Sequence, residues 1–92
     1  MAEYDARTSV TIELDFPVNV GGLDVERLTM RRPKTRDSLK AAKLKGHEAE
    51  RGVVLLADLC DVSPDVIGEL DEIDAKKLGE QLDAFRGGQA EA

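Results

Sequence analysis

From Ser9 to Phe16 the chain alternates: Val10, Ile12, Leu14 and Phe16 stand against Thr11, Glu13 and Asp15. This period of two predicts a strand with one face in a core and one in water. Pro17 has no N–H to give a ladder and is expected to end it. Gly21-Gly22 marks a tight hairpin turn, because glycine accepts the positive φ such turns require. A second strand then runs over about Leu23 to Arg31. Leu23 and Val25 alternate, and so do Leu28 and Met30, but the two pairs are out of phase. One extra residue near Glu26-Arg27, as in a β-bulge, would restore the register. Pro33 closes the segment. Residues 9–32 therefore read as a β-hairpin, which is marginal in water alone and must pack on something.

The remainder has helical periodicity. Thr35 or Asp37 can cap a helix to about Lys45, with Leu39, Ala42 and the stem of Lys43 on one side and Gly46 as its stop. A second helix runs from about His47 or Glu48 to Cys60. Its stripe is Ala49, Val53, Leu56, Ala57 and Cys60, and Val54, Leu55 and Leu59 carry the apolar surface almost all the way round. Such a helix is either central in the fold or partly buried by a partner. Ser63-Pro64-Asp65 starts a short helix carrying Val66, Ile67 and Leu70. Asp71 or Asp74 opens a last helix to about Arg86, with Ala75, Leu78, Leu82 and Phe85 facing inward. The expected fold class is α+β: an N-terminal two-stranded β-hairpin packed on three to four short α-helices. One domain spans residues 9–86, with a flexible arm over 1–8 and a disordered tail over 87–92.

Composition narrows what such a domain can do. Ninety-two residues suffice for one thin core. The aromatic residues are Tyr4, Phe16 and Phe85, with no tryptophan, so the core is aliphatic and a ligand pocket walled by aromatics is not expected. Residues 1–7 show no signal-peptide pattern, and no apolar run approaches the roughly 20 residues that span a bilayer. A soluble cytoplasmic protein is expected. Charge is segregated. Residues 1–26 carry six acids and one base, 27–51 nine bases and three acids, and 52–92 ten acids and three bases. Singly, each of these charges reads as solvated surface; the basic block as a whole also reads as a docking surface.

Catalytic chemistry is sparse. His47 is the single histidine and Cys60 the single cysteine. They form a nucleophile pair only if the fold joins them, and a metal site needs more ligands. Phosphate-cradling glycine loops are absent. Asp37-Ser38-Leu39 matches the triplet on which acyl carrier proteins mount phosphopantetheine. Those proteins are helical bundles with an acidic helix after the serine, whereas this chain has strands and then Lys40, Lys43 and Lys45. The basic run could contact nucleic-acid phosphates, but the domain as a whole is acidic and no aromatics interleave the bases. No catalytic residue, metal, cofactor, nucleic acid, membrane or small-molecule substrate is expected.

The order of signals resembles the tail assembly chaperone family of Mu-like contractile-tailed phages and prophages. The resemblance rests on Leu14-Asp15-Phe16-Pro17-Val18, the Gly21-Gly22 turn, Leu28-Thr29-Met30-Arg31-Arg32-Pro33, Asp37 at a helix start, the stretch from Leu55 to Ile67, and Leu70-Asp71-Glu72-Ile73-Asp74. It covers about residues 9–86. The family often has Thr-Gly where Cys60-Asp61 stands here. The resemblance implies a non-enzymatic protein of the bacterial host's cytoplasm, absent from the mature virion. It would bind the phage tape measure protein and keep it soluble before the tail tube polymerises. Charge for that contact is expected from Arg31, Arg32, Arg36, Lys40 and Lys43, and an apolar groove from Val54, Leu55 and Leu59, although each of these three taken singly reads as core. The polarised charge also permits a homo-oligomer. The alternative is a small oligomeric protein-binding adaptor, with acyl-carrier-like and DNA-binding roles behind it.

Overall fold

A computed structural model describes residues 8–87. The hairpin forms from β1 (Ser9–Val20) and β2 (Leu23–Arg31), paired antiparallel. Four helices follow: α1 (Thr35–Lys43), α2 (Glu48–Cys60), α3 (Pro64–Glu69) and α4 (Glu72–Phe85). The fold is the expected α+β arrangement. The arm and tail expectations concern residues 1–7 and 88–92, outside those described; Thr8 itself accepts a hydrogen bond from the Arg32 amide at 2.7 Å.

Gly21 and Gly22 take φ of 59° and 85° between the paired residues Val20 and Leu23. Two positive φ values in a two-residue loop match the twist of the flanking strands. One sheet face is wet: Thr11 and Thr29 share a 2.9 Å hydroxyl contact, and the Arg27 Nε donates to Glu13 at 3.0 Å. The other face gives Ile12, Leu14, Val25, Leu28 and Met30 to the core. α2 packs on β2, α3 and α4 pack on β1, and α1 packs on α2. Leu55, Leu59, Val66, Ile67, Leu78, Leu82 and Phe85 complete a single aliphatic cluster around one buried ring.

Against the expectation from Pro17, β1 does not stop there but continues to Val20. The break in phase falls at Glu26, as expected, but the extra residues lie in β1 and not in β2: Glu13 pairs with Arg27 and Val18 with Val25, so Leu14 to Pro17 oppose Glu26 alone. Proline is tolerated in such a bulge because its missing donor costs nothing there. Phe16, expected on the apolar face, is turned out and 56% exposed.

Asp74 holds this bulge. Its side chain is fully buried at the third position of α4. One carboxylate oxygen accepts the Asp15 amide at 2.8 Å and the other the Phe16 amide at 3.0 Å. Lys77, one turn on, places its ammonium 3.4 Å from the same carboxylate and 2.7 Å from Asp15. Burial pushes the Asp74 carboxyl upward, but the two amides and Lys77 outweigh it, leaving it below its ordinary value. The side chain of Asp71, the residue that caps α4, accepts the local Ile73 amide at 3.0 Å.

At the end of α2, Asp61 adopts the left-handed conformation, with φ 57° and ψ 46°. The Val62 amide reaches back to the Ala57 carbonyl at 3.0 Å, closing the helix as a Schellman turn normally built on glycine.

Two stability predictions follow from these contacts. Asp74→Ala should lower the melting temperature more than Asp71→Ala, whose lost cap costs about 1 kcal/mol, because it strands two β1 amides; equal losses in parallel melts would refute the pinning role. Asp61→Gly should stabilise the protein by roughly 0.5 kcal/mol, since the left-handed region costs a side chain more than it costs glycine. An unchanged or lower urea midpoint would contradict that.

Candidate functional site

The basic block divides into groups bonded to other elements of the fold and groups that form an open face. Arg31, the last residue of β2, forms a two-pronged pair with Asp37: both guanidinium nitrogens donate to the carboxylate at 2.8 Å. The Asp37 carboxylate also accepts the Lys34 amide at 2.7 Å, as the third residue of α1 reaching back over its start. The Arg31 fork holds the Asp37 carboxyl well below the usual carboxylate range, against the opposing effect of burial and with help from the Lys34 amide. Arg32 stacks its guanidinium 5.2 Å from the centre of the Phe85 ring and donates to the Phe85 carbonyl at 2.9 Å, closing the end of α4. Both arginines were expected to meet a partner; the fold uses their guanidinium groups to join β2 to α1 and to α4.

The apolar half of the expected site is also redistributed. Leu55 and Leu59 are core residues, 7% and 2% exposed, and Val54 is half-buried. α2 sits between the sheet, α1 and α3, so the side chains of Leu55 and Leu59 are spent in packing rather than on an open face. The opposite correction applies to Leu39. It was expected inward with Ala42, yet α1 turns Asp37, Ala41 and Leu44 toward the protein and leaves Leu39 56% exposed. Residues 37, 41 and 44 share one helical face, and the buried Asp37 pair fixes which face that is.

What remains outward is coherent. Arg36, Leu39, Lys40 and Lys43, spaced by three and four, form one exposed face of α1. Lys40 pairs with Asp58 of α2 at 2.9 Å, with the lysine 60% exposed. Arg36 and Lys43 make no ion pair among the described residues. An exposed leucine ringed by three cations suits an acidic, amphipathic protein surface.

The candidate chemistry separates in space. His47 precedes α2 and Cys60 ends it, so about 20 Å of helix lies between them. Burial pushes the Cys60 thiol up to about 11, so it is a neutral core group at physiological pH. Ser38 is exposed on α1, with its hydroxyl 3.2 Å from an Arg86 guanidinium nitrogen that donates to it, and its neighbour Asp37 is committed to Arg31. No helix among the described residues is long and apolar enough to cross a membrane.

The family model described as phage tail assembly chaperone proteins, E, or 41 or 14, matches residues 11–87. The chain belongs to this phage tail assembly chaperone family. Neither the curated proteins nor the solved structures contain a match. The matched span of the chaperone starts inside β1, ends just after α4, and includes both the Asp74-pinned bulge and the basic α1 face. Asp74 is the structural residue that the sequence reading treated only as a helix opener; the one trace of its role is the Asp71-x-x-Asp74 spacing, which places a second acid beyond the cap.

Asp37 and Asp74 both titrate below their ordinary value in the folded chaperone, so the unfolded chain takes up protons first as the solution is acidified. Their stabilisation is complete above about pH 5 and is lost progressively below about pH 4. Urea midpoints measured from pH 7 to pH 2.5 should fall across that acid window. Asp37→Asn should be less stable at pH 7 and show a shallower fall. An equally steep fall in the variant would remove Asp37 from the account.

Proposed function

We propose that this tail assembly chaperone binds the long, helix-rich tape measure protein and keeps it soluble until the tail tube polymerises around it. It would act without catalysis, in the host cytoplasm, and be left out of the finished particle. The observation that carries this reading is the outward face of α1, where Arg36, Lys40 and Lys43 surround Leu39. A polymer of amphipathic helices exposes apolar stripes edged by charge. A holding protein needs a small apolar contact for grip and charges for register, and weak individual sites suffice when many copies act along one client. Arg31 would contribute by setting the position of α1, and Arg32 by holding the end of α4.

The test is co-expression of the affinity-tagged chaperone with the tape measure protein of the same genome, followed by soluble recovery and co-purification. The client should remain soluble and co-purify, less so as salt is raised. Arg36→Glu and Lys43→Glu together should weaken the complex about tenfold or more while leaving the melting temperature near wild type, since both side chains are exposed and make no ion pair among the described residues. A client that precipitates with the wild-type chain as it does alone would overturn the assignment.

A further inference from the structure

The hairpin keeps one open edge, on β2. The Arg32 amide donates to the Thr8 carbonyl, so that pair is bonded across the hairpin. Bonded and unbonded pairs alternate along an antiparallel ladder. Thr11 with Thr29 and Glu13 with Arg27 are therefore unbonded pairs, whose backbone groups point away from the opposite strand. On β1 this outer edge is occupied. The Lys77 ammonium donates to the Glu13 carbonyl at 3.0 Å, and Asp74 takes the two bulge amides. On β2 the outward amides and carbonyls of Arg27 and Thr29 have no backbone partner among the described residues. Donors and acceptors repeating at every second residue are matched by another extended polypeptide.

A groove follows this edge. A hollow of about 340 Å³ lies along Leu23 to Thr29 and is lined as well by Cys60 and Val62. It adjoins a second hollow between Thr29, Arg31 and the end of α2. Leu23 is 56% exposed and Val62 half-buried, so the groove offers apolar contact that the core leaves unused. Its rim is acidic. Arg27 pairs with Glu13, Arg31 with Asp37, and Asp58 with Lys40. Asp24, Glu26 and Asp61 are exposed and remain in excess. Asp24 and Asp61 make no ion pair among the described residues, and Glu26 stands 3.8 Å from the arginine already bonded to Glu13.

We propose that the open edge of β2 receives an extended, basic segment of another protein as a third strand. Its backbone pairs with Arg27 and Thr29. Its small apolar side chains meet Leu23 and Val62, and its lysines or arginines meet Asp24, Glu26 and Asp61. About five residues, at roughly 3.3 Å each, cover the edge from Arg27 to Arg31. Charge selects this occupant. The acidic rim disfavours a second copy of this chain, whose net charge is −6, and it repels a nucleic-acid strand. The pairing groups belong to the sheet and not to α1, so the proposal does not rest on the client reading.

The test follows amide exchange by NMR in the purified full chain. The probe is a blocked heptapeptide of alternating lysine and valine, added to about 1 mM at 50 mM salt. The Arg27 and Thr29 amides should exchange at least tenfold more slowly, a larger effect than at Leu28 and Met30, whose amides are already in the ladder. Asp24→Asn, Glu26→Gln and Asp61→Asn together keep side-chain shape and should weaken peptide binding about tenfold, as should 500 mM salt. Spermine, which carries similar charge but no peptide groups, should protect neither amide. Unchanged exchange at Arg27 and Thr29 with the peptide overturns the proposal. So does equal protection by spermine, which would make the edge a plain cation site, or wild-type peptide binding by the neutralised variant. Protection that grows with chain concentration alone would assign the edge to a second copy and sink it equally. Since no tape measure protein is present, these outcomes are independent of the client reading.

Discussion

The β1 bulge places two backbone amides beyond the reach of β2, and a single buried carboxylate takes both. Amides left without acceptors inside a protein are costly, and a buried charge is tolerated only when it is fully bonded. Asp74 answers both requirements at once, and Lys77 supplies the countercharge. Much of the architecture follows from that exchange. The hairpin is too small to stand alone. Fixing its irregular middle to the start of α4 makes the long final helix a strut across the domain, with Phe85 at the far end closing the core. The same bond turns Phe16 outward, so the interaction that organises the interior also creates an exposed apolar residue.

Arg31 and Asp37 perform a parallel task at the other end. Their paired, two-pronged contact fixes how α1 leaves the sheet, and hence which of its faces meets α2. A helix of nine residues with one leucine contributes little burial and is marginal by itself. Its position is set by polar geometry at its first turn rather than by an apolar stripe, which frees Leu39 to lie among cations on the surface. Charge-assisted bonds, partly shielded by the fold, thus decide what the thin aliphatic core leaves open.

This division explains what could be read from the sequence. α2 was legible to its last residue because its apolar girdle is long and ends at Cys60, and Pro64 at the first position of α3 and the Asp71 cap of α4 announce the later helices locally. The Gly21-Gly22 turn is local as well. The misplacements at Pro17, Phe16 and Leu39 share another cause. Each depends on a side chain elsewhere: the Asp74 carboxylate lies 58 positions beyond Phe16, and the Asp37 pair with Arg31 selects the inward face of α1. Periodicity counts apolar residues and has no access to such bonds. The candidate site suffered in the same way. Three of its five cations, Arg36, Lys40 and Lys43, lie on one open face, while Arg31 and Arg32 look identical in the sequence and bond to Asp37 and to the Phe85 carbonyl. Leu55 and Leu59 read as surplus apolar surface only until the sheet, α1 and α3 are placed around α2.

On the proposed function, the open α1 face meets its client one weak contact at a time. Leu39 offers a small apolar grip, and Arg36, Lys40 and Lys43 offer a salt-sensitive register. A long client would present many such sites on one molecule, so many copies of the chaperone could hold it without any one site being strong. The domain itself need not change shape, because its polar anchors at Asp37 and Asp74 fix α1 and α4 in place. Selection of the client would then rest on number and proximity of sites, which is what an extended, repetitive partner provides and a small globular one does not.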